Sequence, residues 1–273
     1  MNAIPLDGPF GAEIVGADLT GLDPAVGLKG SERETILGLL FEHGVLLLRR
    51  QPLSERQLAA FTVSFGRVET PPYPKASSRD VDGIVYVSNM ADETGRLLGG
   101  LGDGEVTWHQ DNFYKRNPHW VSVIQAMVTT AEGGVTQWAS TRHAWATLPE
   151  TLRKAVAGRR GLYPLPDSLA QRRLLARFRK ERLVRQDLEM SHPRLREACL
   201  YVSQRTVGIE GMGDEEARPL LDDLLAWVVR PDRMLSHAWQ PGDLLLYDNT
   251  QVIHRRTPFQ GPRLLKVTRF EVS

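Results

Sequence analysis

His109 and Asp111, within Trp108-His109-Gln110-Asp111, are spaced so that both side chains leave the same face of an extended strand. An imidazole and a carboxylate then point at one place. His-x-Asp arises often by chance, so a second feature has to carry the reading. That feature is His254, which follows the Gly242-Asp243 turn and the apolar strand Leu244 to Asp248. Two imidazoles and one carboxylate on one face of a metal, with the other positions open, form the donor set of non-haem Fe(II) oxygenases. Of the seven histidines, these two alone sit in strand contexts with fitting neighbours. His119 follows Asn117-Pro118, His192 precedes Pro193, and His143 and His237 lie in or beside helical or loop stretches. Those four read as surface or hydrogen-bonding histidines, and His43 reads as a cation suited to the last turn of a helix.

The flanking chain supplies strands to position such a site. Phe10 to Leu19 reads as a first strand. Ser31 with Glu34 predicts a capping box, opening a helix with Ile36, Leu39, Leu40 and His43 at helical spacing. Gly44 stops it, and Val45 to Leu48 is a wholly apolar strand of the kind buried on both faces. Ser54 with Gln57 predicts a second box, for a helix ending at Phe65-Gly66. Thr70 to Ser78 is Pro-rich and irregular, and Ile84 to Asn89 is a short strand. Met90 to Glu105 holds five glycines and predicts a mobile loop; no Lys-Ser/Thr follows Gly104, so it is not a phosphate loop. Val121 to Val128 and Val135 to Ala139 are strands on either side of a Gly133-Gly134 turn. Ser140 begins a helical region reaching Gly158, and Asp214 caps a helix through Trp227. The chain ends in two strands around Gln260-Gly261-Pro262. Short strands with turn residues between them, plus helices early and mid-chain, predict a mainly β fold: a jelly-roll core with helical decoration.

The segment Gln171 to Arg185 carries seven basic residues, with Leu174, Leu175 and Phe178 at helical spacing. It predicts an amphipathic helix, either solvated or offering a docking face to an acidic partner. Over 273 residues the formal net charge is only +1, which gives no argument for nucleic acid or an anionic membrane. No linker or repeat divides residues 1–273, so one domain is expected, with residues 159–198 as a helical or lid insertion. Cys199 is the single cysteine, a small buried hydrophobe in a reducing compartment. No apolar run approaches ~18 residues, and Met1 to Gly11 lacks a basic start and an apolar core. The expected location is cytoplasmic.

In these motifs the chain resembles the taurine and 2,4-dichlorophenoxyacetate dioxygenase family of Fe(II)/2-oxoglutarate-dependent oxygenases. The matching segments run from Phe10-Gly-Ala-Glu-Ile-Val-Gly-Ala-Asp-Leu and Glu42-His-Gly-Val-Leu-Leu-Leu-Arg through Trp108-His-Gln-Asp, Gly133-Gly-Val-Thr136 and Leu200-Tyr-Val. They end with Gln240-Pro-Gly-Asp and Asp248-Asn to His254. The resemblance implies a double-stranded β-helix (cupin-like) core, iron held by His109, Asp111 and His254, and 2-oxoglutarate and O2 as co-substrates. It implies oxidative decarboxylation to succinate and CO2, then removal of a hydrogen atom from an unactivated C–H of a small, biosynthetic or amino-acid-like substrate. Hydroxylation is the expected ending, with desaturation or ring closure as alternatives. Halogenation is disfavoured, because Asp111 fills the place that chloride would need.

The far carboxylate of 2-oxoglutarate needs a cation, since burying it unpaired costs several kcal/mol. Arg263 and Arg269, six apart, share a face. Arg263-Leu264-Leu265 matches the family's Arg-apolar-apolar pattern and is preferred; Arg269, 15 residues after His254, is the alternative for the co-substrate or for a substrate carboxylate. Thr136, 27 residues after His109, matches the family threonine that binds the same group. The family's taurine-cleaving members carry a sulfonate-binding arginine where this chain has Val267, and a histidine in the region of Thr70 to Tyr73, where it has none. Taurine is therefore not the expected substrate. Tyr73, Asn89, Asn112 and Tyr114 are the candidate pocket lining, while Trp138 and Tyr247 are expected to pack the barrel near the iron. A substrate tethered to an acidic carrier protein would explain the basic segment. Two readings of other classes are a non-redox metal-binding jelly roll and a Lewis-acid isomerase or hydrolase.

Overall fold

Val45–Leu48 is buried at every residue, and the reason is its place in the middle layer of the molecule. The computed structural model describes residues 1–71, 75–165 and 183–272. Its larger sheet has seven strands in the order Asn2–Pro5, Ala12–Val15, Val45–Leu48, Leu244–Asp248, Trp120–Val128, Leu264–Glu271 and Val85–Ser88. Helices Gly30–His43 and Glu55–Val63 cover its outer face, where Ile36, Leu40, Leu58 and Phe61 pack on Leu46, Leu48, Val121, Val123 and Leu244. The alternate residues Val45, Leu47, Leu245, Tyr247, Leu265 and Val267 turn inward. There they meet Trp138, Leu235 and Val252 of a second sheet, ordered Met234–His237, Thr136–Ser140, Val252–Arg256 and Val106–His109. Two sheets packed face to face make the jelly-roll core that the strand pattern predicts. The outer face of the smaller sheet is covered in turn, with Trp108, Ala139 and Ile253 packing against Ala217, Leu221 and Leu224 of helix Asp214–Val228.

Several boundaries differ from the sequence reading. The first strand is Asn2–Pro5, which the sequence reading missed; the strand expected over Phe10 to Leu19 is its partner and spans only Ala12–Val15, because Gly11 and Gly16 at its ends take left-handed φ of 89° and 76° and turn the chain. Helix Gly30–His43 starts two residues early: Glu32, not Glu34, closes the box by accepting the Lys29 N–H at 3.0 Å. The Ser54–Gln57 box forms as expected. Gly213, not Asp214, caps the helix Asp214–Val228, and Asp214 lies in its acidic first turn. The last two strands do not pair with each other; Phe259–Gln260 pairs with Glu132–Gly133 instead.

Of residues 159–198, expected as a helical or lid insertion, 166–182 lie outside the described residues; the described flanks hold the strands Arg160–Pro164, Leu183–Asp187 and Glu189–Ser191, and Ala198 opens a further strand, Ala198–Leu200. Arg160–Pro164 pairs with both Leu183–Asp187 and Gly208–Ile209. That pairing brings Arg160 and Arg185 together on Glu210, at 2.6 and 2.5 Å, so the end of the expected basic helix is extended chain. Residues 171–182 of that helix lie outside the described residues. Cys199 is buried, as expected, and burial pushes its thiol far above the usual range, out of reach of nucleophilic chemistry. Among the described residues no helix is long and apolar enough to cross a membrane.

Candidate metal centre and co-substrate pocket

His109 ends the strand Val106–His109 and His254 sits at the centre of Val252–Arg256, where the two are register partners. Their rings stand 4.1 Å apart between centroids. Asp111 lies just beyond the strand end and needs a separate anchor. Asn249 provides it: its Oδ1 accepts the Asp111 N–H at 2.8 Å, while its Nδ2 donates to Trp120 O and Ser122 Oγ. One donor atom from each of His109, Asp111 and His254 then lies within 4.8 Å of the others.

The protonation states suit a cation. His109 Nδ1 is 2.8 Å from the Thr107 carbonyl, which fixes the proton there and leaves Nε2 bare, 3.9 Å from Asp111 Oδ1. Burial lowers the pKa of both imidazoles, and for His254, with His109 beside it, the result is about 3. Both rings are neutral at pH 7. Burial would raise the pKa of Asp111, but Arg269 first, then His254 and His109, hold it well below the carboxylate range. Its Oδ2 accepts from Ser122 Oγ at 2.7 Å and Tyr247 OH at 2.8 Å, and Arg269 Nε is 3.1 Å from it. Oδ1 is left facing His109. His254 Nδ1 is buried with no hydrogen-bond partner, and its Nε2 is 3.3 Å from Tyr247 OH. Two bare imidazole nitrogens and one ionised oxygen fit a divalent transition ion.

A buried cation waits one step further along the same sheets. Arg263 is 3% exposed, and its backbone is clamped on both sides: Asn89 Oδ1 accepts its N–H and Ser88 Oγ donates to its carbonyl. Its guanidinium lies 5.4 Å from the Phe259 ring, and among the described residues no carboxylate pairs with it. Burial, and then neighbouring Arg256, lower its pKa to about 9, so an anion there would relieve both. Gly134, with φ of 65°, lets the side chain pass; a Cβ there would stand 3.4 Å from Arg263 Nε. Two residues on, Thr136 is buried opposite Arg256, with His254 opposite Trp138 in the same pairing. Thr136 Oγ1 accepts from Trp239 Nε1 at 2.8 Å, which leaves its own proton to donate.

The other sequence candidates divide. Arg269 is engaged by Asp111 and by Glu69, whose Oε2 is 3.2 Å from Nη1. Asn89 spends both ends of its amide on the backbone of Gly261 and Arg263. Asn112 is buried, takes a left-handed φ of 58°, and its Nδ2 has no partner among the described residues. Tyr114 stands edge-on to Phe113. Tyr73 lies outside the described residues. Trp138 and Tyr247 pack together as expected, with centroids 5.7 Å apart. The glycine-rich loop is held at its far end, because Arg256 Nη2 donates to the carbonyls of Leu101 and Gly104 and the Phe259 N–H to that of Asp103. Sequence reasoning missed Ser122, Glu69, Asn249 and Arg256. Ser122, a lone hydroxyl on the inner run of an apolar strand, was the one legible signal among them.

A family model described as the taurine catabolism dioxygenase TauD, TfdA family matches residues 2–269. The chain is 28% identical to the (S)-phenoxypropionate/alpha-ketoglutarate-dioxygenase of Sphingobium herbicidovorans, over 95% of its own length and 90% of the relative's. It is also 28% identical to the pentalenolactone F synthase of Streptomyces arenae, over 100% and 95%. Among solved structures, a taurine dioxygenase from Burkholderia xenovorans superposes with a TM-score of 0.81 at 25% identity, over 100% of this chain and 91% of that one.

Proposed function

The chain belongs to the taurine catabolism dioxygenase TauD, TfdA family and is a dioxygenase dependent on Fe(II), 2-oxoglutarate and O2; within that class we propose that it hydroxylates an unactivated C–H of a small biosynthetic or amino-acid-like molecule. In this reading His109, Asp111 and His254 hold the metal, and Arg263 with Thr136 receives the far carboxylate of 2-oxoglutarate. When bound, the metal and its co-substrates supply an oxidant able to take a hydrogen atom from carbon, with succinate and CO2 as co-products.

The protein's part is positional. Thr107 presents His109 Nε2, and Asn249 presents Asp111 with one oxygen free. The Arg263 guanidinium, already desolvated, gains a forked partner in a carboxylate. Thr136 adds a hydroxyl donor. Between the two inner arginines the strand shows Leu265 and Val267, so the wall facing the site is apolar and offers a sulfonate no cation at Val267. Desaturation or ring closure would use the same residues.

The observation that supports the reading best is the convergence of three donor atoms within 4.8 Å, two of them neutral nitrogens and one an ionised oxygen. The test is anaerobic addition of Fe(II) and then 2-oxoglutarate. A weak visible charge-transfer band should form in the native protein and not in Asp111→Ala, and succinate release should then screen candidate substrates. No band, or activity without O2 and 2-oxoglutarate, would overturn the reading.

For a substrate carried on an acidic protein, the candidate surface is a cleft of about 720 Å³ lined by Arg67, Lys115, Arg116, Arg160 and Arg185 together with Asp187 and Glu271. Arg67 pairs there with Glu271, Lys115 with Glu69, and Arg160 and Arg185 with Glu210, which leaves Arg116 as its uncompensated cation among the described residues. Reversing the charge of Arg116 and Arg185 together should abolish turnover of a tethered substrate and spare turnover of the free one. Unchanged tethered turnover would discard the idea.

A further inference from the structure

Arg269 lies six residues beyond Arg263 on the same inward run, with only 15% of its side chain exposed. Its charge is divided between two carboxylates. Nε is 3.1 Å from Asp111 Oδ2 and Nη1 is 3.2 Å from Glu69 Oε2. Glu69, 4% exposed, is held in turn by Lys115 Nζ at 2.5 Å, and that ammonium sits 4.1 Å from the Trp120 ring centroid. Negative and positive groups alternate outward in the order Asp111, Arg269, Glu69, Lys115.

We propose that Arg269 is a positioning residue for Asp111, and that Glu69 sets how hard it pulls. The inference rests on Asp111 being a metal ligand, as argued above. A carboxylate can hold an ion with one oxygen or with both. Here Ser122 and Tyr247 donate to Oδ2 and the Arg269 guanidinium lies against it as a charge, so Oδ1 alone keeps its lone pairs for the ion. One-oxygen ligation keeps positions open for two further ligands. A cation so close would also compete with the metal for the same charge, and Glu69 limits that competition by taking a share of Arg269. A lysine would not serve, because a point charge lacks the fork that spans two carboxylates. Arg269 is thereby removed from the pool of cations able to anchor a co-substrate or substrate.

The test uses Co(II) as probe in the full-length protein. Glu69→Gln is isosteric and touches neither Asp111 nor either histidine. With Arg269 drawn onto Asp111 alone, the Co(II) dissociation constant should rise about tenfold, the lower end of what supporting partners of ligands usually contribute. Lys115→Met should move it the other way, since an unshared Glu69 pulls Arg269 off Asp111. Opposite signs are not what a general loss of stability produces. Arg269→Gln should change the intensity of the Co(II) d–d bands as Oδ2 becomes available. Co(II) binding within twofold of the native value in both Glu69→Gln and Lys115→Met would overturn the proposal. So would a weakened affinity for 2-oxoglutarate, with unaltered Co(II) binding, in Arg269→Lys. If the native protein takes up no Co(II), the metal reading itself fails, which is a separate and visible outcome.

Discussion

His192 Nε2 meets the Asp248 carboxylate at 2.6 Å with neither side chain exposed, and this pair anchors the turn that feeds His254 into its strand. The same carboxylate takes the Thr250 N–H at 2.8 Å and Gln251 Nε2 at 3.0 Å. Burial would raise the pKa of Asp248, but the hydrogen bonds from His192, Gln251 and Thr250 outweigh it and hold the value down. A depressed folded-state value contributes stability that is present above the unfolded value, about 3.9, and is lost as pH falls through the folded one. His192→Ala removes one of three donors to that buried carboxylate and should cost about 1.5–3 kcal/mol at pH 7. Urea melts from pH 7 down to pH 3 should show the native protein losing stability below about pH 4. Asp248→Asn should lose this part of the acid sensitivity; an unchanged acid profile would show that Asp248 is not its source.

Arg263 pays no visible carboxylate a visit in the described structure, and that gives its replacement a clear sign. In Arg263→Gln the desolvation of a lone cation disappears, so the fold should be as stable or more so, while binding of a dianion should collapse. Losing a buried charged partner costs about 2–5 kcal/mol, so a rise of at least thirtyfold in the 2-oxoglutarate dissociation constant is expected. Anaerobic calorimetry with the Mn(II)-loaded protein measures it. A change below threefold would move the anchor elsewhere, with Arg256 as the next buried cation.

Tyr247 is fully buried, and its hydroxyl bridges Asp111 Oδ2 and His254 Nε2, at 2.8 and 3.3 Å. Tyr247→Phe keeps the ring packed on Trp138 and deletes only the bridge. Metal affinity should fall about tenfold, as is usual for partners that orient a ligand, with little change in melting temperature. Equal metal affinity in the two proteins would show that Ser122 and Asn249 orient Asp111 unaided.

His109 and His254 were legible because the strands leading to both are local signals, whereas Asp111, picked out by strand spacing, lies just past the strand end and is held instead by Asn249 from 138 residues away. The wholly apolar strands were legible for the same reason, and the covering helices explain why both of their faces are apolar. What could not be read is what depends on pairing across the chain. Glu69 and Arg269 are 200 residues apart and meet only because Val68 bridges Phe270 beside them. The strand Leu183–Asp187 exists because Arg160–Pro164 is there to pair with, a partner that no local signal names. The Glu32 box beat the Ser31–Glu34 pattern because Leu28 N–H is fixed by Ser64 Oγ at 2.9 Å, which sets where the helix begins.

Taurine gives a sharp test of specificity, because a solved taurine dioxygenase shares the fold at a TM-score of 0.81. Val267, 3% exposed, is packed among Ile124, Leu265 and Trp138, so no cation faces the site from that position. Succinate release with taurine should not exceed the rate without any prime substrate. A taurine-dependent rate more than about twice that background would refute the assignment of an apolar wall at Val267.

Arg256 sits two residues beyond His254, 5% exposed, and spends its guanidinium on the carbonyls of Leu101 and Gly104. Hydrogen bonds from a charged group are worth about 1.5–3 kcal/mol each, but burying the charge costs several kcal/mol, so the two nearly cancel in global stability. Arg256→Met should therefore leave the melting temperature close to native while loosening the loop. The sensitive reporter is the Phe259 amide, whose N–H donates to the Asp103 carbonyl within that loop at 3.1 Å. Its hydrogen exchange should quicken at least tenfold, which corresponds to about 1.4 kcal/mol of lost local stability. The apparent KM for 2-oxoglutarate should rise with it, since Phe259 also flanks the Arg263 guanidinium. Native exchange at Phe259 in this variant would mean that the loop is held by its own turns, and that Arg256 serves only to fill the space beside Arg263.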